Sequence, residues 1–357
     1  MKIVLLMVIK NEASNLRECI DHYILQGVDH FYICDDNSTD GFEQTIEDIK
    51  DRVTVIKYKE QVHDDPFAFF HRGGFHVRAY TQILNETDAK DSDWSILVNP
   101  DEFIYMRSKY KTIRKFLEGE GSKFSCCPVP LKRFGGMGLL RQPESIVDTF
   151  VERSIFGRGG GLDKDGNPIL NPISRGRTAC KSITRTKVFN DDRSNVKVHI
   201  PTLTGTSDIE PYYMKADGSI LDPFVLDRVT LAMELKSVIE MRHQKYDIIA
   251  CNHYQVQSVN DWFGRVEKTR QYPVIGSESW KNGIANDTRK NINSGRTIDY
   301  ITDNGKVIES YVQDFGRADL LWLQNFILTH TKKGVQCMND FELRDLRRNW
   351  VEDGGIL

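Results

Sequence analysis

The chain has 357 residues, of which 39% are hydrophobic and 28% charged, with a net charge of −3 and a pI near 6.3. A chain of this length buries a large core and predicts about two domains, or one domain with an elaborated tail. The near-balanced charge excludes a global pull toward nucleic acid or anionic membrane, so any phosphate binding must rest on local groups. Seven cysteines at irregular spacing, including the adjacent Cys126 and Cys127, lack the Cys-x-x-Cys spacing of zinc or redox sites and suit a reducing compartment.

The first hundred residues alternate between strand and helix patterns. Residues 3–9 are a continuous apolar run, as in a parallel strand buried on both faces. The run is too short to span a bilayer and no small-residue cleavage site follows it, so it reads as a strand and not as a signal or anchor. Ser14 is the expected cap of a helix with Leu16, Cys19, Ile20, Tyr23 and Ile24 at helical spacing, stopped by Gly27. Residues 30–34 form a second strand pattern and 42–49 a second helix. Residues 53–58 predict a third strand, 74–84 a helix, and 93–98 a fourth strand. This order predicts an α/β fold: a mostly parallel sheet with helices on both faces.

The ends of such strands line the ligand crevice of an open parallel sheet. Three polar clusters sit at carboxyl ends of the predicted strands: Asn11-Glu12, the loop Asp35-Asp36-Asn37-Ser38-Thr39-Asp40-Gly41, and Asn99-Pro100-Asp101-Glu102. Asp101 and Glu102 are hard oxygen ligands suited to Mg²⁺ or Mn²⁺, and Asn99 can add a neutral oxygen. Taken alone, an Asp-Glu pair after a strand is an ordinary turn; the convergence of three such clusters points to a site. In the second cluster, Asp40 is the expected cap of the following helix.

Beyond about residue 105 the pattern becomes irregular. Residues 112–117 suggest a short helix and 124–134 an extended segment. The glycine-rich loop at 157–161 lacks the Gly-Lys-Ser/Thr end of a phosphate loop, and Asp163-Lys164-Asp165-Gly166-Asn167 misses the calcium-loop pattern. Residues 318–331 form a strongly apolar helical pattern. The expected organisation is a nucleotide-binding half at 1–105, an acceptor-side half at 106–270, and a loop with a C-terminal helical extension at 271–357.

Several segments together resemble GT-A-fold glycosyltransferases, in particular the family 92 and family-2-like group. The segments are Lys10-Asn11-Glu12 with Asp21-His22-Tyr23 and Gly27-Val28-Asp29-His30-Phe31-Tyr32, the 35–41 loop, and Asp93-Trp94 through Asp101-Glu102-Phe103. Phe134-Gly135, Lys181-Ser182-Ile183, His199, Asn252-His253-Tyr254, Ser258 and Lys268 follow in the family's order. The group usually carries Asp where this chain has Asn99, which removes one charge from the motif and puts strict metal dependence in question.

The resemblance implies a GT-A-type sheet and an enzyme moving a sugar, hexosyl or pentosyl, from a nucleotide-diphosphate donor to a glycan hydroxyl with inversion. A UDP-sugar is the expected donor and Mn²⁺ or Mg²⁺ the expected cofactor. Asn11, Glu12, Asp35, Asp36, Arg72, Arg78, Asn99 and Lys181 are the candidate donor-binding residues, with Asp35 or Asp36 placed to accept the N3–H of a uracil-like ring. Asp101, Asn99, His253 and His199 are the candidate metal ligands, with Glu102 next. Inverting transfer also needs a carboxylate to take the acceptor's proton; Asp148, Glu152, Asp208 and Glu210 are candidates that no spacing rule separates. A nucleotide-sugar donor and a glycan acceptor are the expected partners, without nucleic acid or a membrane span, in the cytoplasm of a bacterial or virus-infected cell. The competing readings are a sugar nucleotidyltransferase, against which Lys10-Asn11-Glu12-Ala13 stands in place of a glycine-rich basic loop, and a degenerate nucleotide- or glycan-binding module.

Overall fold

The computed structural model describes residues 1–59, 74–107, 110–135, 139, 141–154, 161–162, 168–169, 180–189, 191–197, 200–201, 203, 213–214, 218–221, 248–254, 257–258, 261 and 337–352. The chain forms two compact units. The first comprises Met1–Arg133, Leu170–His253 and Phe341–Leu357, and the second Phe134–Ile169 and Tyr254–Asp340.

The first unit opens with strand β1 (Ile3–Ile9), helix α1 (Ala13–Leu25), strand β2 (His30–Asp35), a run of 3-10 turns at Phe42–Arg52, and strand β3 (Val53–Lys57). Helix α2 (Gly74–Glu86), β4 (Trp94–Leu97), β5 (Glu102–Met106), α3 (Ile113–Glu118) and β6 (Cys126–Arg133) follow. Strands β3, β2, β1 and β4 lie side by side, all parallel. This is the mostly parallel sheet that the sequence predicts.

Every residue of β1 is buried. On one face Val4, Leu6 and Val8 pack in a core with Tyr32, Cys34, Leu97 and the α2 residues Ala79, Tyr80, Ile83 and Leu84. The alternate residues Ile3, Leu5, Met7 and Ile9 are equally buried. A strand covered on both sides has no use for polar alternation, which is why this segment reads as an unbroken apolar run.

Two expectations about helix ends are corrected. The cap position of α1 is Glu12, not Ser14, and its side chain makes no capping bond; instead Asp40 Oδ2 accepts from the Ala13 amide at 2.7 Å. Asp40 therefore satisfies the start of α1 from the neighbouring loop and does not cap the segment after it. The helix predicted at 42–49 is a 3-10 run broken at Ile49, a geometry with poorer hydrogen bonds than an α-helix. Gly27 does end α1, at φ +89°, a conformation a residue with a Cβ resists.

The sheet continues past β4 with strands of later sequence. β10 (Cys180–Arg185) runs antiparallel between β4 and β6, with Ile183 opposite Ile96 and Cys127. Short strands β11 (Tyr213–Met214) and β12 (Ile220–Leu221) extend that edge. β13 (Ile249–His253) pairs antiparallel with β5, placing His253 opposite Glu102, and parallel with β6.

Helix α5 (Glu342–Glu352) completes this unit. Glu342 bonds Arg107 Nε at 2.7 Å and Lys132 Nζ at 2.5 Å, and Arg347 Nη1 lies 2.6 Å from Glu18 Oε1.

The second unit contains α4 (Ile146–Thr149), β7 (Glu152–Ser154) paired with β14 (Cys337–Asn339), and the small ribbon β8 (Gly161–Leu162) with β9 (Pro168–Ile169). Phe134 and Tyr254 stack within it, ring centres 4.8 Å apart.

No helix among the described residues is long and apolar enough to cross a membrane. Six cysteines among the described residues are free and buried, where burial pushes the thiols of Cys34 and Cys126 up to about 12. The apolar pattern at 318–331 and most of the glycine-rich loop lie outside the described residues.

Candidate functional site

Register fixes where the strand ends lie. Ile9 pairs with Asp35, Asp35 with Lys57, and Leu6 with Leu97, so the loops after β1, β2 and β4 leave the sheet on one side. The first two are tied together. Asn11 takes a left-handed φ of +51°, its amide donates to Ser38 Oγ at 2.9 Å, and its Oδ1 accepts from the Thr39 amide at 2.7 Å.

Asp35 is fully buried. It accepts from the Ser38 amide at 2.9 Å and from Lys57 Nζ. Burial alone would raise its carboxyl, but these partners outweigh it and hold the group below the usual range. Asp36 pairs with Lys10 at 3.1 Å, both largely buried. Arg78, on α2, donates to Tyr58 Oη at 3.2 Å, and Glu12 accepts from Asn15 Nδ2 at 3.0 Å.

The acidic tip after β4 is a closed turn. The Glu102 amide donates to the Asn99 carbonyl at 3.1 Å, and the Asn99 amide donates back to Glu102 Oε2 at 2.7 Å. From below, Tyr23 Oη donates to the Glu102 carbonyl at 2.9 Å and accepts from the Ile104 amide at 3.0 Å. Asp101 and Glu102 are both buried, 3% and 1% exposed.

Two partners come from much later sequence. β13 brings His253 Nε2 to 3.6 Å from Asp101 Oδ2 and 3.8 Å from Glu102 Oε1. β10 brings Lys181, 1% exposed, with Nζ 2.9 Å from Glu102 Oε2. Burial alone would lower the lysine, but the Glu102 carboxylate outweighs it and holds the ammonium above its usual range. Tyr80, buried next to this pair, has its hydroxyl pushed up to about 12 by burial.

The donors of Asp101, Glu102 and His253 all lie within 4.8 Å of one another. Their separations from His253 are too long for hydrogen bonds. Donors each about 2.1 Å from one hard cation, at angles between right-angled and opposed, are about 3–4 Å apart, so the spacing suits a shared ion. A further observation agrees: Asn99 Oδ1 is a buried polar atom with no hydrogen-bond partner among the described residues. Two carboxylates and an imidazole form a donor set that suits a divalent cation.

The expected site residues thus fall into groups. Asn99, Asp101, Glu102, His253 and Lys181 meet at one place, while Asn11, Glu12, Asp35, Asp36 and Arg78 lie at or next to the neighbouring strand ends. Lys181 does not face outward, as expected of a phosphate-neutralising group; its ammonium is buried against Glu102. Asp148, exposed in α4, and Glu152, in β7, belong to the second unit. Arg72, His199, Asp208 and Glu210 lie outside the described residues.

Sequence reasoning missed the Lys181–Glu102 pair. Its one signal is a lysine inside Cys180-Lys181-Ser182-Ile183, a strand whose every other position but the last is buried, which obliges the lysine to find a counter-ion.

Comparison with solved structures gives likenesses at low identity. A mycobacterial protein matches at 12% identity and TM-score 0.28, over 53% of this chain and 54% of that one, so the match spans about half its length. HddC from Yersinia pseudotuberculosis matches at 12% and TM-score 0.32, over 66% of this chain and 99% of that one. Mannosyl-3-phosphoglycerate synthase from Rubrobacter xylanophilus matches at 12% and TM-score 0.28, over 53% and 54%. A comparison with curated proteins finds no match. Residues 7–122, which carry the β1 and β2 loops and the Asn99–Glu102 turn, match the family model of glycosyltransferase family 92, in agreement with the resemblance read from their motifs and in support of a glycosyltransferase.

Proposed function

We propose that the protein transfers a sugar from a nucleotide-diphosphate donor, with a UDP-sugar the favoured class, to a glycan hydroxyl with the help of a divalent cation. The observation that carries the reading is the meeting of Asp101, Glu102 and His253 within and opposite a segment that matches family 92. Asp101, Glu102 and His253 would hold Mn²⁺ or Mg²⁺, with Asn99 Oδ1 as a further oxygen. When bound, the cation would supply the positive charge that stabilises a departing diphosphate.

The protein's own groups do the rest. The joined loops after β1 and β2 offer Asn11, Asp35 and Asp36 to base and ribose, with Asp35 or Asp36 the acceptor for a base N–H; Asp35 also accepts from Lys57 and Ser38, and Asp36 pairs with Lys10. Arg78, beside the end of β3, is a candidate for phosphate oxygens in forked geometry. Inverting transfer further requires a carboxylate to take the acceptor's proton as its oxygen attacks, and Asp148, Glu152, Asp208 and Glu210 are the unseparated candidates.

A second reading, a binding module without turnover, draws on Asn99, which supplies an oxygen but no charge. Thermal shift with a panel of nucleotide-sugars in Mn²⁺ tests the proposal, since a ligand that binds only the folded chain raises its melting temperature. One donor should stand out and release free nucleotide on incubation. A flat panel contradicts the transferase, and binding without release supports the module.

A further inference from the structure

We propose that Lys181 is a positioning residue for the cation site: with the Asn99 amide it holds Glu102 Oε2, so that Glu102 presents only Oε1 to the ion, in a fixed orientation. The inference rests on the reading that Asp101, Glu102 and His253 hold a divalent cation.

The two oxygens of Glu102 have different surroundings. Oε2 accepts from the Asn99 amide at 2.7 Å and lies 2.9 Å from Lys181 Nζ. Oε1 faces His253 Nε2 at 3.8 Å, outside hydrogen-bond range. A carboxylate with one oxygen held by two donors cannot turn both toward a metal without breaking those bonds. Both side chains are at most 2% exposed, so no water shell substitutes for the ammonium.

The fold explains why a lysine does this. β10 runs antiparallel to β4 with Ile183 opposite Ile96. Following the strand back from Ile183 carries Lys181 alongside the turn that begins after β4. The lysine thus approaches Glu102 from the sheet, while His253 approaches from β13, where it pairs directly with Glu102. The carboxylate is held from one side and offered on the other. An outer group that orients a ligand in this manner contributes about 10–100-fold to metal affinity. A pair serving the fold alone would contribute to stability and leave affinity unchanged.

The test measures Mn²⁺ affinity of the full chain by the electron paramagnetic resonance signal of free Mn²⁺, for wild type, Lys181→Met, Glu102→Gln and the double variant. Lys181→Met should bind about 10–100-fold more weakly. The double variant should bind no more weakly than Glu102→Gln, because a residue acting through Glu102 has nothing left to orient. Affinity of Lys181→Met within twofold of wild type, or losses that multiply in the double variant, overturns the inference.

Should the charge-removing variants fail to fold, the wild type alone decides. The infrared change on adding Mn²⁺ should show widely split carboxylate stretches, as for one-oxygen ligation, and narrow splitting overturns the proposal. A wild type that takes up no Mn²⁺ contradicts the cation site itself; uptake that ignores Lys181 contradicts only the positioning role.

Discussion

The β1–β5 segment and the strands that flank it later in the chain contribute to the same site in different ways. The first supplies the acids: Asp35, Asp36, Asp101 and Glu102 all sit at strand ends or the turns beside them within the first 105 residues. The second supplies their counterparts, Lys181 from β10 and His253 from β13, which reach the acidic turn through antiparallel pairing. A parallel strand–helix unit presents its loops on one edge by topology alone, whereas an antiparallel strand inserted afterwards can deliver a single side chain to the middle of that edge. The acids form a cluster that suits a cation, and the later strands bring a lysine to one oxygen of Glu102 and a histidine to the other.

The comparison can be broken most sharply at Asp101. Asp101→Ala should abolish the Mn²⁺ response and lower turnover by about 10²–10³-fold, the scale for removing one electrostatic contact to developing charge, with the circular dichroism spectrum unchanged. Full activity in that variant would remove the acidic turn from the account.

A large effect on stability is expected at His22, which is fully buried. Its Nε2 bonds the Ile104 carbonyl at 2.8 Å, and burial, reinforced by Arg347, lowers its pKa to about 3. A base with a depressed folded pKa is neutral in the fold and binds its proton more readily when unfolded. Its contribution is therefore complete above the unfolded value near 6.5 and declines as pH falls toward 3. The loss amounts to on the order of 5 kcal/mol across that window. Urea midpoints measured from pH 7 to pH 4 should fall, and His22→Gln should flatten the slope; an unchanged slope contradicts the assignment.

Arg347 sharpens the comparison from the other side, because α5 also comes from distant sequence and its described ion pairs run to Glu18, Arg107 and Lys132. Arg347→Met removes the guanidinium 2.6 Å from the largely buried Glu18 carboxylate, which should cost up to about 3 kcal/mol of stability while Mn²⁺ affinity stays at the wild-type value. A matching loss of affinity would show that α5 belongs to the site.

The smallest expected change is at Asn99. Asn99→Asp adds a carboxylate beside Asp101 and should tighten Mn²⁺ binding by up to about tenfold, in line with the charge dependence of hard-cation sites. Weaker binding, read by calorimetric titration, would mean that Asn99 Oδ1 faces away from the ion.

Much of this architecture is legible in the sequence, and the reasons are local. β1, β2 and β4 announce themselves as apolar runs because both faces of the sheet are covered, and the polar clusters after them are conspicuous because strand ends are where the run must stop. The resemblance to family 92 rests on those same segments. What could not be read is contact at long range. Lys181 and Glu102 are 79 positions apart in sequence, and no spacing connects them. Asp40 as a cap for α1 was hidden similarly, since the bond crosses between two loops, and Arg347 meets Glu18 across 329 positions. His253 was legible only as one of two candidates, with His199; the β13–β5 register then sets it opposite Glu102.

The central claim is that Asp101, Glu102 and His253 together grip a divalent cation that meets the donor's diphosphate. Anomalous scattering at the manganese edge, from crystals equilibrated with Mn²⁺ and UDP, tests it most directly. The account predicts one strong peak bonded to Asp101, Glu102 Oε1 and His253 Nε2, with pyrophosphate oxygens completing its shell. A peak elsewhere, or UDP bound with no metal at this turn, would contradict it.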